Sequence, residues 1–458
     1  MRRLHSAALA TAVLGGYVLA AQPLRQERPP AVRGELPGGP VFAPNRPTPP
    51  VGNVLDIESL LGVPSDDFRM ERRNNFYKKD GSDGLYRWAA SGHWSNYDES
   101  KVGDWKKSVP DPLKMNNGQM VRDAQTWASV RRPEIVQLLE DAVYGRIPAN
   151  VPKVVWTAGE MTPGANNGIA TLSRTATGQF VNADGSPFIA PAGPAPARGR
   201  GGATGLTVTY TIPANAPGPV PLIQGGNAQR TLAMGFGTVS FGGSAPSVIS
   251  NPPTKNDWGA IRKYGWVVSR GLDYLETDKL VDAHQVALTG HSIGGKQALV
   301  AGAFDQRIGL VFASCSGEGG ASMMKRDWGE TLDDLAQLSP QNYAESFQKW
   351  VGHWDEMPVD AHMLVALMAP RPLFITGGTQ DQWSDPVGVF WAGYFGGSAY
   401  KVLGKKDLGA TVPPQPNVFL DGDLVFYNHI GGHITTPEET SKYYELLAKN
   451  FKVRAAAK

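Results

Sequence analysis

The spacing of apolar residues changes character along the chain, and each change predicts a different kind of element. Residues 124–144 carry Trp127, Ile135, Leu138, Leu139 and Val143 at roughly helical spacing, with Pro133 near the start of the regular part, so a helix is expected there. From residue 151 the rhythm shortens to two: residues 154–156, 169–172 and 206–212 alternate as half-buried antiparallel strands do. Further on the apolar runs become short and continuous, at 220–223, 286–289, 309–313, 372–376 and 425–427, with helical patterns that include 266–276, 296–304 and 438–451. Continuous runs suit strands buried on both faces, and strands alternating with helices imply a mostly parallel sheet covered on both sides. The expected class is α/β, with antiparallel strands at the N-terminal edge of the sheet.

The first 53 residues lack this patterning. Arg2 and Arg3 precede an apolar run at 7–19 too short to span a bilayer comfortably, and small residues close it, so residues 1–21 read as an export signal. Residues 22–53, rich in Pro, Gly and Arg, read as a disordered linker. Residues 54–150 show scattered aromatics and no evident strand set, and are expected to pack on a catalytic domain at 151–458. Residues 190–205 resemble a flexible surface insertion.

Composition narrows the function. A net charge of +2 over 458 residues gives no electrostatic footprint for a nucleic-acid partner. A single cysteine, Cys315, rules out an intrachain disulfide. Twelve tryptophans and fourteen tyrosines suit a cleft that stacks on sugar rings, although most belong in a core. A secreted or periplasmic monomer is expected, with no membrane segment after signal removal and neither cofactor nor metal.

The chemistry centres on Gly290-His291-Ser292-Ile293-Gly294. A strand enters this G-x-S-x-G turn and a helix leaves it, which is the nucleophile elbow of the α/β-hydrolase fold. Glycines stand where strand and helix backbones crowd, and the turn holds the Ser292 hydroxyl at the sheet's carboxyl edge. In that fold the acid and then the histidine follow the serine along the chain. After the strand at 372–376 come Asp381 and Asp385; Asp381 is preferred, and Asp385 before Pro386 reads as a cap on the next helix. After the last strand come His429 and His433, and His433 is preferred because Gly431 and Gly432 let its backbone bend toward Ser292. Gly225 and Gly226, ending the strand at 220–223, could supply an oxyanion-hole amide beside the backbone N–H of Ile293, or form an ordinary turn.

These residues, with Arg131-Arg132-Pro133-Glu134-Ile135, Gly329-Glu330-Thr331, Asp381-x-Trp383 and Gly432-His433, resemble the glucuronoyl esterases of carbohydrate esterase family 15 in their bacterial form. The resemblance runs from about residue 111 to the C-terminus. It implies hydrolysis of the ester joining 4-O-methyl-glucuronate of xylan to lignin alcohols. It further implies Ser292 as nucleophile, His433 as base, Lys296 and Glu330 on the sugar hydroxyls, and Trp383 packed on the uronate. Two positions depart from the family pattern. Ile293 stands where the family has an oxyanion-holding arginine, and Cys315 stands where many members place a catalytic glutamate. The acid therefore falls to Asp381, with Glu318 as the alternative. Other readings are an acetyl esterase on xylan and a carbohydrate-binding pseudoenzyme without activity.

Overall fold

A computed structural model of the chain describes residues 77–79, 86–88, 94–95, 102–189, 205–248 and 250–453. The expected signal and linker, and all but the last residue of the insertion at 190–205, lie outside them.

The parallel half of the sheet comprises β8 (Val220–Gln224), β9 (Gly237–Gly243), β10 (Val281–His291), β11 (Ile308–Ser314), β12 (Leu373–Gly378) and β13 (Leu424–His429). The antiparallel half comprises β4 (Lys153–Ala158), β5 (Thr162–Asn166), β6 (Ile169–Val181) and β7 (Gly205–Pro213). The strand order is β13-β12-β11-β10-β8-β9-β7-β6-β4, with β5 beside β6. Antiparallel pairing at the N-terminal edge and parallel pairing elsewhere agree with the change of rhythm in the sequence.

Alternation divides the buried strands between two cores. Leu222, Leu288, Val311, Ile375 and Leu424 face one side, against α3 (Ala260–Leu275), α4 (Ile293–Phe304), α6 (Ala361–Met368) and α7 (Pro386–Val402). Their neighbours Ile223, Ala287, Leu310, Phe374 and Val425 face the other, against α8 (Pro437–Asn450). Phe312 and Phe374 stack there at 4.5 Å between centroids. This two-faced covering fixes the strand ends, from which the site is built.

The helical stretch at 124–144, labelled α1, is interrupted by π-helical turns at Trp127–Arg131 and Glu140–Tyr144. It belongs to the main core through Trp127, Ile135, Leu139 and Val143. Arg132 donates to the Ala303 carbonyl at 2.7 Å, and Tyr144 to the Gly319 carbonyl at 3.2 Å. Two elements differ from the sequence expectation. Residues 54–150 do contain strands, β1 (Tyr77–Lys79), β2 (Tyr86–Trp88) and β3 (Trp94–Ser95), in a small antiparallel sheet. The strand β9 escapes the apolar reading because four of its seven residues, Gly237, Ser240, Gly242 and Gly243, carry no large side chain. The short helices α2 (Ala228–Ala233) and α5 (Leu332–Leu338) complete the set. Among the described residues no helix is long and apolar enough to cross a membrane.

Candidate active site

Ser292 sits between β10 and α4 with φ +57° and ψ −126°, a conformation costly for a residue with a Cβ. Its N–H donates to the Ser314 carbonyl at 3.0 Å on the neighbouring strand, and its carbonyl accepts from Lys296 N at 3.1 Å as α4 begins. A Cβ at Gly290 would collide with the Gly294 backbone, so the glycine is a requirement of the turn.

The β12 and β13 ends deliver the other two groups. His433 Nδ1 lies 2.5 Å from Asp381 Oδ2, and Asp381 is fully buried. The His433 ring lies tilted at 55° against His291, the residue before the serine, at 4.4 Å between centroids. Two backbone bonds pin the loops together, Thr379 N to the His429 carbonyl at 2.9 Å and Gln380 N to the Gly431 carbonyl at 2.8 Å.

The alternative acids sit in different surroundings. Glu318 is fully buried, and neither of its carboxylate oxygens has a hydrogen-bond partner. Burial foremost, and then the charges of Asp385, Asp327, Asp360 and Glu330, push its carboxyl well above the ordinary range. Asp385, expected as a helix cap, does occupy the N-cap position of α7, but its side chain makes no cap bond. It pairs instead with buried Arg326 at 2.5 Å and accepts from Ser322 at 3.3 Å. His429 bonds Glu439 rather than a site acid, at 3.0 Å.

A cavity of about 230 Å³ opens over Ser292. Ile293, Lys296, Cys315, Ser316, Glu330 and Ser384 line it, with Leu335, Ser339, Asn342 and Tyr343 from the α5 segment. Lys296 Nζ, its side chain 7% exposed, lies 2.6 Å from Glu330 Oε2 and also donates to the Glu318 carbonyl. Ile293 is 44% exposed at the cavity mouth. A shallower depression of about 350 Å³, lined by Lys406, Asp421, Asp423, Lys442 and Glu445, contains no nucleophile, and Lys442 and Asp421 pair within it at 2.7 Å.

Three expected residues sit differently. Trp383 is 7% exposed and does not line the cavity; the wall at that point is its neighbour Ser384. Its carbonyl accepts from Glu330 N at 2.6 Å, so Trp383 holds Glu330 in place from behind. Gly225 and Gly226 also stand off the wall: Gly225 is pressed against Thr289, and Gly226 against the Tyr444 hydroxyl. The α5 segment was not anticipated. Its start is legible in retrospect, because Thr331 and Asp334 form a capping box.

Cys315, at φ +43°, is buried with its Sγ facing the Ile434 carbonyl at 3.4 Å. Burial, then the charges of Asp381 and Glu439, push its thiol well above the ordinary value, so it is no nucleophile. Donor atoms of Cys315, Asp381 and His433 lie within 4.8 Å of one another and could hold a metal ion. The short His433–Asp381 bond accounts for two of these three groups as an acid–base pair.

A family model for fungal glucuronyl esterases matches residues 199–404. The chain is 28% identical over 414 residues to carbohydrate esterase MZ0003 from an unknown prokaryotic organism, covering 76% of this chain and 90% of that protein. It is 28% identical over 311 residues to the 4-O-methyl-glucuronoyl methylesterase 1 of Wolfiporia cocos, covering 65% and 73%. Among solved structures, a glucuronoyl esterase from Solibacter usitatus superposes with a TM-score of 0.65 at 28% identity, over 78% of this chain and 100% of that one. A promiscuous family 15 esterase from a marine bacterial metagenome superposes with a TM-score of 0.66 at 26% identity, over 78% and 100%. Elbow, strand order and sequence all agree in likeness to the glucuronoyl esterases of carbohydrate esterase family 15, and the chain is a carboxylic-ester hydrolase of the α/β-hydrolase fold.

Proposed function

We propose that the protein is a secreted serine esterase that cleaves the ester between (4-O-methyl-)glucuronate of glucuronoxylan and a lignin alcohol. Ser292 Oγ attacks the ester carbonyl while His433 takes its proton, and Asp381 holds the imidazole in the reactive tautomer and stabilises the imidazolium. The backbone N–H of Ile293, at the first position of α4 where helix N–H groups have no intrahelical acceptor, serves as donor to the developing oxyanion. His433 then protonates the departing alcohol, and water releases glucuronate from Ser292 by the same steps in reverse.

One observation carries the reading: the Lys296–Glu330 pair stands in the wall of the cavity that holds Ser292. A lysine ammonium has three N–H donors. Two are used on Glu330 and the Glu318 carbonyl, leaving one for a sugar hydroxyl, while the second Glu330 oxygen accepts from another. An esterase for simple acyl groups has no use for such a pair. Comparing benzyl glucuronate with acetylated xylan tests this. Rapid cleavage of benzyl glucuronate supports the proposal; rapid deacetylation with benzyl glucuronate untouched replaces it with an acetyl esterase.

A further inference from the structure

The second histidine of the loop has no place in the proton-transfer scheme, yet both of its ring nitrogens are hydrogen-bonded. His429 closes β13 and is 1% exposed. Its Nδ1 lies 3.0 Å from Glu439 Oε1, and its Nε2 lies 2.9 Å from the carbonyl oxygen of Gly432. A carbonyl can only accept, and so can a carboxylate, so both ring nitrogens must carry protons. From its other side Glu439 Oε2 accepts from Thr436 N at 2.7 Å in the capping box of α8. Gly432 immediately precedes His433. From these contacts we infer that His429 is a positioning residue, an imidazolium at neutral pH that ties the His433 loop to the first turn of α8. The inference rests on the role of His433 proposed above.

The charged groups around His429 are Glu439 on α8 and Asp381 on the loop after β12; the nearby backbone is that of Gly378 and Thr379. Burial acts to lower the imidazole's affinity for its proton, but the bond to Glu439, with the charges of Glu439 and Asp381, outweighs burial and raises it. As pH rises past that value the imidazolium loses one proton, one of the two bonds breaks, and the Gly432 carbonyl is released. The His433 ring then loses its aim at Ser292, while Lys296 and Glu330 are undisturbed. Turnover should fall at alkaline pH through kcat, with KM unchanged.

Glu439→Gln provides the test. Glutamine still accepts from Thr436 N and preserves the cap, but it removes the anion that keeps His429 charged. In nitrogen-15 spectra of histidine-labelled protein at about pH 7.5, both ring nitrogens of His429 should be protonated in the parent and one should be deprotonated in E439Q. The alkaline limb of kcat on benzyl glucuronate should move down by at least about one pH unit in E439Q. A neutral His429 ring in the parent would overturn the inference, and so would a kcat profile in E439Q that superposes on the parent's. The spectroscopic readout needs no substrate, so failure of the glucuronate assignment cannot be mistaken for failure here.

Discussion

At Ser292 the backbone is strained, and His433 already holds Asp381, so the proposed roles are separable by substitution. Ser292→Ala should lower kcat by roughly 10⁴–10⁶, and Asp381→Asn by about 10⁴ because it imposes the wrong tautomer on His433. Both are read as steady-state rates on benzyl glucuronate with circular dichroism unchanged. Glu318→Gln should leave turnover within about threefold, since Glu318 does not reach His433; a loss comparable to that of Asp381→Asn would reinstate it as the acid. Ile293→Arg asks what the missing arginine contributes. A side-chain donor of this kind is worth about 10²–10³ in related hydrolases, so the variant should raise kcat, while an unchanged rate would mean that the backbone N–H suffices.

Elements decide how these residues meet, and here the sequence was uneven as a guide. The elbow, the buried strands and the order serine, acid, histidine were legible because each rests on local pattern: short apolar runs, glycines at crowding points, and loops following strands. The route of the chain beyond Cys315 was not. Gly317 and Gly319 adopt positive φ and turn the segment so that Glu318 points into a buried nest of acids instead of toward His433. Spacing along the sequence carries no trace of that turn. The cavity wall from α5 was equally hidden, since Leu335, Ser339 and Tyr343 become site residues only through tertiary placement. The capping box at Thr331 anchors that wall. Thr331→Ala should cost about 1 kcal/mol of stability, seen as an earlier denaturation midpoint, and should raise KM on a glucuronate ester more than it lowers kcat.

For the whole molecule, buried ionisable groups link stability to pH. Glu318 has its carboxyl raised from an ordinary value of 4.5, so the fold favours the protonated acid. That contribution is complete below the unfolded value and is lost as pH rises toward the folded one. Glu318→Gln stays neutral throughout, so it should stabilise the protein relative to the parent near pH 8 and much less near pH 4.5, measured as thermal midpoints at both. His429 also has a raised value, so its pair with Glu439 contributes fully below the ordinary 6.5 and is lost as pH rises through the raised folded value. Both groups therefore predict declining stability on the alkaline side.

On the proposed reading, Lys296 and Glu330 turn a general serine hydrolase into a uronate esterase. Lys296→Met keeps most of the unbranched side chain and removes the donors. Hydrogen bonds to charged groups contribute about 1.5–3 kcal/mol, equivalent to roughly 10- to 150-fold in rate. The most direct measurement is kcat/KM of Lys296→Met on benzyl glucuronate and on p-nitrophenyl acetate in the same preparation. A loss of at least about tenfold is expected on the glucuronate ester, with acetate turnover within about threefold. Equal losses on both esters, or none on either, would contradict it.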